Sequence, residues 1–490
     1  MSGSWISMPA RFRRRLALAA WLPLVLQLAA CAGHDTRVAD EPLYPAPEPA
    51  GIQWYDTLVA ELEPLVHERG DRWPLVLWRG VGFESLDPEG IRALLDRGIV
   101  QHLRLRRTDA EAAAALAAAG APIILMEGAG GAWPYDTIRN AGEWRLRFPP
   151  DVTPRPAWRE LADPTRLAGW EQARELTRVR LRRYAARGIN IDAVWLDYEG
   201  ALLHDDYQAV RASTAAAALP DVLLEDERRY RDYRRTHWLN GLSRYLAAPV
   251  RRVFPDAAVT NWVVMISSAN APVLGWTDWP HPPTPPVFFT HSNPVAYGID
   301  TYFLAAWPTG HTINRENVDR FYTHLVLRQV SMDALNRTRY RPDMGAVVWV
   351  ARWVPDHPDE RVPVMSRAAY REALRHIWLR GADAMQVFNP TRKGFERYAV
   401  WEVEDVQRVY GEMLAYREFL EHGEVMNFAV PDNRDGSTMW SGLRLGDRAL
   451  VRITNLGTAQ RQVNICLTEE RCIDLPVPRR GRTRIVELKP

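Results

Sequence analysis

The sequence predicts an α/β fold: a (β/α)8 TIM barrel, spanning about 71–421, followed by a small all-β, sandwich-like domain. Apolar, β-rich runs alternate with helical patterns from Trp73 to about Glu421. The runs are almost continuously apolar, which is typical of parallel strands covered on both faces. No Gly-rich phosphate fingerprint follows the first run, which disfavours the rival fold, an open doubly wound sheet.

Eight runs are expected to form the strands of the barrel. In chain order they are Pro74–Arg79, Val100–Leu105, Pro122–Glu127, Ala193–Glu199, Ala258–Met265, Tyr297–Leu304, Gly345–Arg352 and Ala384–Asn389. Helical patterns separate them, among them 88–98, 109–120, 170–188, 225–247, 313–335 and 366–381. Several of these patterns end in Gly, as helix C-termini often do.

The N-terminus predicts an export signal over residues 1–31. Four arginines between Arg11 and Arg15 precede an apolar stretch that ends in LAAC at Cys31. This ending resembles the lipobox of bacterial lipoproteins, which implies lipidation of Cys31 and anchoring in a membrane. Ala32 follows the cysteine, and in such lipoproteins a residue other than Asp implies sorting to the outer membrane, on its periplasmic or surface face. Residues 32–70 are expected to form a tether and N-terminal extension.

Over residues 424–490 the helical patterns give way to short strand patterns separated by Gly, Asn and Asp. This change predicts the C-terminal β-domain. We expect it to pack against the barrel rather than to bind carbohydrate independently. Cys466 and Cys472 lie on either side of a predicted turn, and export would permit a disulfide between them.

Composition excludes several functions. The formal net charge is only +2, so there is no electrostatic case for nucleic acid. The only lysines are Lys393 and Lys489, which disfavours a Schiff-base mechanism. The histidines are scattered, and no G-x-S-x-G motif is present, so neither a metal centre nor a serine hydrolase is expected. No cofactor is expected, and the oligomeric state is left open.

Asp197 and Glu199 end the fourth predicted strand in the segment AVWLDYE. Carboxylates two residues apart on a strand point the same way. In a barrel the carboxyl end of a strand opens into the active site, where two carboxylates can divide the acid and stabilising roles. A buried ion pair with Arg79 or Arg352 is the structural alternative, and a metal site that also includes Glu127 is a further one.

Other strand ends supply polar and aromatic candidates. Asp300 and Tyr302, at the sixth strand, are expected to assist catalysis. The residues expected to bind substrate are Arg79, Glu127, Trp133, Asn261, Trp349, Trp353 and Asn389.

The LDYE sequence resembles the D-x-E strand ending of the substrate-assisted glycoside hydrolases, a group that includes chitinases and hyaluronidases. The resemblance implies that Glu199 is the general acid and that Asp197 stabilises an N-acetyl group of the substrate, which acts as the nucleophile. Tyr302 is the possible match to the assisting tyrosine near strand six. The longer acidic series of chitinases is incomplete here, since Val194 and Trp195 stand where further carboxylates are expected.

Two other functions stay open. The stretch WLDYE also resembles the fourth strand of retaining α-glycosidases, which would make Asp197 the nucleophile and Asp300 the acid/base. Alternatively, the protein binds a surface polysaccharide without cutting it. In each case the expected partner is a carbohydrate.

Overall fold

The computed structural model of the protein describes residues 54–77, 87–104, 109–128, 167–197, 207–212, 219–227, 229–230, 243–262, 294–296, 316–340, 345–352, 364–387, 396–429, 438–455, 462–466, 471–478 and 481–488.

Two sets of elements make up the described chain. The strands of the main sheet are β1 Leu75–Leu77, β2 Ile99–Gln101, β3 Leu103–Arg104, β4 Ile124–Gly128, β5 Ala193–Asp197, β6 Ala258–Trp262, β7 Pro294–Ala296, β8 Val347–Val350 and β9 Ala384–Val387. The helices are α1 Trp54–Glu61, α2 Pro88–Asp96, α3 Asp109–Ala118, α4 Leu167–Ala185, α5 Tyr207–Arg211, α6 Asp221–Glu225, α7 Ala248–Val253, α8 Val318–Tyr340, α9 Arg367–Trp378, α10 Glu396–Leu414 and α11 Arg417–His422. A π-helical segment, Ser243–Ala247, leads directly into α7.

The main sheet is parallel throughout its described pairings, in the order β2-β1-β9-β8-β7-β6-β5-β4-β3. The two segments at the ends of this order are neighbours in the chain, because only His102 separates β2 from β3. β2 pairs with β1, and β3 pairs with β4. Nearly all strand residues whose burial is described are buried, and most of them are apolar, as expected where helices cover a parallel sheet.

Seven of the eight expected strands overlap a strand of the structure. The exception is the sixth, which was expected at Tyr297–Leu304. The structure instead has β7 at Pro294–Ala296, paired with β6 and β8, and residues 297–304 lie outside the described part of the chain. A run as short as PVA, opening with a proline, carries too little pattern to predict a strand, although proline is tolerated at the first strand position.

Helix ends follow local chemistry. Asp87 caps α2, its carboxylate accepting the backbone N–H of Gly90 at 2.8 Å, and Ser366 caps α9 in the same way. Gly98 lies between α2 and β2 with a positive φ of 71°. A Cβ at this position would come within 2.6 Å of Leu65, so both the backbone angle and the packing require glycine.

Asp192 and Asp383 fasten the amino-terminal edge of the sheet. The carboxylate of Asp192, just before β5, accepts the backbone N–H of Ile123 at 2.7 Å. Asp383, just before β9, does the same for Ala346 at 2.5 Å. Asp192 therefore has a structural role at the edge opposite to the end of β5.

The C-terminal strands form a separate antiparallel module. They are β10 Glu424–Val425, β11 Thr438–Leu445, β12 Arg448–Asn455, β13 Gln462–Cys466, β14 Cys472–Pro476 and β15 Arg482–Glu487. The sheet order is β10-β11-β12-β15, and β13 pairs with β14 as a hairpin. Cys466 and Cys472 face each other across the hairpin and form a disulfide, with an S–S distance of 1.98 Å.

Arg380, just after α9, ties the module to the main sheet's helices. The side chain is fully buried and has no acidic partner among its hydrogen bonds. Burial lowers the pKa of Arg380 to about 9. Its hydrogen bonds end on neutral oxygens, which belong to Ser331, Asn427, Ala429, Trp440 and Ser441. The buried guanidinium of Arg380 thus connects a helix of the main sheet, through Ser331, with the C-terminal module, through Ser441.

A second set of polar contacts extends this interface. His376 is fully buried, with its Nδ1 2.8 Å from the Ser441 hydroxyl and its Nε2 2.8 Å from the Thr454 hydroxyl. Glu372 accepts the Arg452 guanidinium, with Nε at 2.7 Å. Burial would raise the pKa of Glu372, but hydrogen bonds from His376 and Arg452 hold it well below its usual range. The module is therefore docked on α9 through a buried polar interface, which we name the α9 clamp (Glu372, His376, Arg380, Ser441, Arg452 and Thr454).

Candidate active site

Asp197 is the last residue of β5, so it lies at the carboxyl edge of the sheet. Its neighbour across the β4–β5 pairing is Gly128, the last residue of β4. Leu77, Val350 and Val387 end their strands at the same edge. In parallel α/β sheets, ligands bind at this edge. Glu199, the proposed partner of Asp197, lies outside the described residues.

The strand register divides the sheet positions into two alternating rows. Asp197 belongs to the row of Trp195, whereas Glu127 and Asn261 both pair with Leu196 in the other row. Glu127 and Asn261 were expected to bind substrate beside Asp197. The register gives them strand positions of the opposite parity.

Tyr55 identifies the row that faces the helices. Its hydroxyl, on α1, donates to Gln101 Oε1 at 2.5 Å. Gln101 pairs with Leu77, and following the register around the sheet leads from Leu77 to the row of Leu196. The row of Asp197 is therefore the one that faces away from the helical layer.

Trp349 and Gln386 are Cα partners on β8 and β9 and belong to the same row as Asp197. Trp349 is 2% exposed and forms part of the main hydrophobic core, so burial favours core packing over the expected role as an open platform for a sugar ring. Gln386 is also fully buried, and neither atom of its amide has a hydrogen-bond partner among the described residues. A buried amide without a hydrogen-bond partner costs stability, so we expect a hydrogen-bonding group of a ligand or water beside Gln386.

His102 adds a second polar group to this row. It is buried, and its Nδ1 lies 2.7 Å from the carbonyl oxygen of Leu77. A carbonyl can only accept, so Nδ1 donates the hydrogen in this contact. Sequence reasoning did not single out His102, although a histidine within the apolar run VQHLRL was the available signal.

Arg352, two residues after the end of β8, contacts the segment before α9 and helix α10. Its guanidinium donates to the carbonyl oxygen of Met365 at 3.0 Å, and its backbone N–H donates to Glu402 at 2.6 Å. The ion pair of Arg352 with Asp197 and Glu199 stays a prediction, because Glu199 lies outside the described residues. Burial raises the pKa of Glu402 to about 8, well above the usual range of a carboxyl group.

Several expected site residues lie outside the described residues. They are Arg79, Trp133, Glu199, Asp300, Tyr302, Trp353 and Asn389, together with Cys31. Within the described ranges, no three His, Cys, Asp or Glu side chains are grouped to hold a metal ion. In the same ranges, no helix has the length and apolarity needed to cross a bilayer.

No family model matches the chain, and no curated protein matches its sequence. Solved structures that align with it include the β-galactosidase of the psychrophilic Marinomonas ef1, at 11% identity and a TM-score of 0.41, over 70% of this chain and 60% of that one. A GH42 β-galactosidase from G. stearothermophilus aligns at 12% identity and a TM-score of 0.41, over 72% of this chain and 58% of that one. An endo-glycoceramidase II from Rhodococcus sp. aligns at 12% identity and a TM-score of 0.35, over 87% and 99%.

These neighbours are sugar-active enzymes by their descriptions, and the chain spans about 60% of the length of the two β-galactosidases. The TM-scores are below 0.5 and the identities are 11–12%, so the neighbours carry no argument about this chain.

Proposed function

We propose that the protein is a glycoside hydrolase, with Glu199 as general acid and Asp197 as stabiliser of an N-acetyl nucleophile supplied by the substrate. The observation that carries the proposal is the position of Asp197, which ends β5 at the carboxyl edge of a parallel sheet. Glu199 follows two residues later, and that spacing suits two carboxylates that act on one bond.

The same proposal includes closure of the main sheet into a (β/α)8 barrel. Its support is the segment Ile99–Arg104, which pairs with β1 through β2 and with β4 through β3. Each of the eight strand pairings has a register offset. Added once around the sheet, with β2 and β3 counted as one strand, these offsets amount to eight residues. A shear of eight over eight strand positions is the geometry of this barrel.

The chemistry assigns one task to each carboxyl group. Glu199, protonated, gives its proton to the glycosidic oxygen as the bond to the anomeric carbon breaks. The carbonyl oxygen of the substrate's 2-acetamido group attacks that carbon, and Asp197 stabilises the positive charge that develops on the acetamido nitrogen. Water then opens the cyclic intermediate, and Glu199 accepts a proton from that water.

The test is a panel of N-acetylhexosamine polymers and neutral glycans, with product release measured by chromatography. We expect cleavage only where the 2-acetamido group is present, and Asp197→Asn should abolish most of it. Cleavage of neutral α-glycosides would instead make Asp197 the nucleophile. Tight glycan binding without any cleavage would show a binding protein and would refute the enzyme proposal.

We further propose that the mature protein is a bacterial lipoprotein of the outer membrane, anchored through Cys31. The support is the basic region, the apolar stretch and the LAAC ending. Metabolic labelling with a radioactive fatty acid should mark the wild type, whereas Cys31→Ser should stay unlabelled and leave the membrane fraction. Equal labelling of both proteins would contradict the proposal.

A further inference from the structure

A fully buried carboxyl group lies behind the end of β8. Glu402, on α10, accepts two hydrogen bonds at Oε1, from the backbone N–H of Arg352 at 2.6 Å and from the hydroxyl of Tyr370 at 3.3 Å. Arg352 comes two residues after the end of β8, and Tyr370 lies on α9. Glu402 thus joins the strand end to the two helices that follow it in the chain.

The arginines of α9 do not need Glu402 as their partner. Asp405, one turn further along α10 and also fully buried, accepts Arg367 at 2.7 Å and Arg371 at 2.9 Å. Glu404 takes a further contact from Arg367 at 2.8 Å. Arginines of α9 therefore pair with Asp405, Glu404 and Glu412 of α10, and Glu402 is the acid with a described contact to the segment after β8.

We propose that Glu402 is a positioning residue, which fixes the carboxyl end of β8 through the Arg352 N–H. This end lies at the same edge of the sheet as Asp197, the edge that carries the proposed active site. The catalytic consequence rests on the proposed function, whereas the structural consequence does not. A buried carboxyl that accepts a backbone N–H is costly to remove, because the N–H then loses its partner.

Protonation gives this contact a dependence on pH. Among the described residues, the charged and titratable groups near the Glu402 carboxyl are Arg352, Tyr370 and Asp405. Burial is the largest influence on the pKa of Glu402, which rises from 4.5 to about 8. Between these two values the folded protein keeps a proton that the unfolded chain has released. Stability is therefore highest below the unfolded pKa and falls as pH rises toward about 8. Gln at this position cannot ionise and should remove this part of the dependence.

Hydrogen exchange measured by mass spectrometry tests the structural part without any substrate. Glu402→Ala should increase exchange in the peptide that contains Arg352 and leave a peptide from β12 unchanged. Glu402→Gln, which keeps an acceptor oxygen, should retain protection. The matched control is Glu404→Ala, on the same helix but without a contact to the strand. Unchanged exchange at Arg352 in a folded Glu402→Ala protein would overturn the proposal. If Glu402→Ala does not fold, the melting temperatures of Tyr370→Phe and Glu402→Gln are measured as a function of pH instead.

On a substrate found in the glycan panel, Glu402→Ala should lower kcat/KM on the order of 10²-fold, the loss that a shift of about 1 Å at the edge of an active site can cause. Glu402→Gln should restore most of it and should flatten the fall in melting temperature between about pH 5 and about pH 9. The same pH dependence in Glu402→Gln as in the wild type would refute the assignment. If no glycan is cleaved, the proposed function fails while the exchange result still decides the role of Glu402.

Discussion

Glu199→Gln is expected to reduce turnover of an unactivated glycan by about 10²–10⁴-fold, the usual contribution of a positioned general acid. The amide of Gln has nearly the shape of the carboxyl group but no proton to give to the leaving oxygen. Initial rates on the natural substrate measure the effect, and thermal unfolding should show an unchanged fold.

Substrate choice separates a missing proton from a damaged site. An aryl glycoside with a very acidic leaving group needs no proton for the first bond to break, so in a single turnover Glu199→Gln should release the aryl group at close to the wild-type rate. Glu225→Gln, an exposed residue of α6, is the matched control and should behave as the wild type on both substrates. Near-full activity of Glu199→Gln on the unactivated glycan would show that another residue is the acid.

Arg380→Met is expected to lower the free energy of unfolding by about 3–5 kcal/mol, because it leaves several buried oxygens without a donor, each worth about 1–3 kcal/mol when unpaired. Those oxygens lie both on the helices around the main sheet and in the C-terminal module. Ser331 of α8 is an example of the first and Ser441 of β11 of the second. Urea unfolding followed by fluorescence and by far-UV circular dichroism measures the loss.

Arg380→Lys is the informative companion variant. It keeps the positive charge but has fewer donors and no planar fork, so it should fall between Met and the wild type. Arg375→Met removes a partly exposed arginine of α9, which pairs with Glu412 near the surface and more loosely, at 3.5 Å, with Glu372, and it should cost less than about 1 kcal/mol. Equal, small losses in all three variants would mean that the α9 clamp contributes little to stability.

Local pattern was sufficient for seven of the eight expected strands and for the place of Asp197 at the carboxyl end of its strand. Continuous apolar runs separated by helical periods predict a parallel sheet. The expected strand extended to Glu199, which lies outside the described residues. The strands of the C-terminal module followed from their alternation and turn residues in the same way.

Register and long-range partners could not be predicted from the sequence. The opposite parity of Glu127 and Asp197 depends on how β4 pairs with β5, which loops and packing decide together. The contacts of Glu402 with Arg352 and of Arg380 with Ser441 join residues far apart in the chain. Nothing in the local sequence distinguishes these two side chains from the exposed charges around them.

The α9 clamp has a consequence for the order in which the protein can be completed. A chain is made from its N-terminus, so Arg380 and His376 are synthesised well before Ser441 and Thr454, which they require. Until those strands are made, His376 and Arg380 lack the hydroxyl partners that Ser441 and Thr454 supply. The C-terminal module therefore completes the hydrogen bonds of α9, and an unrelated module in its place would have to supply new partners.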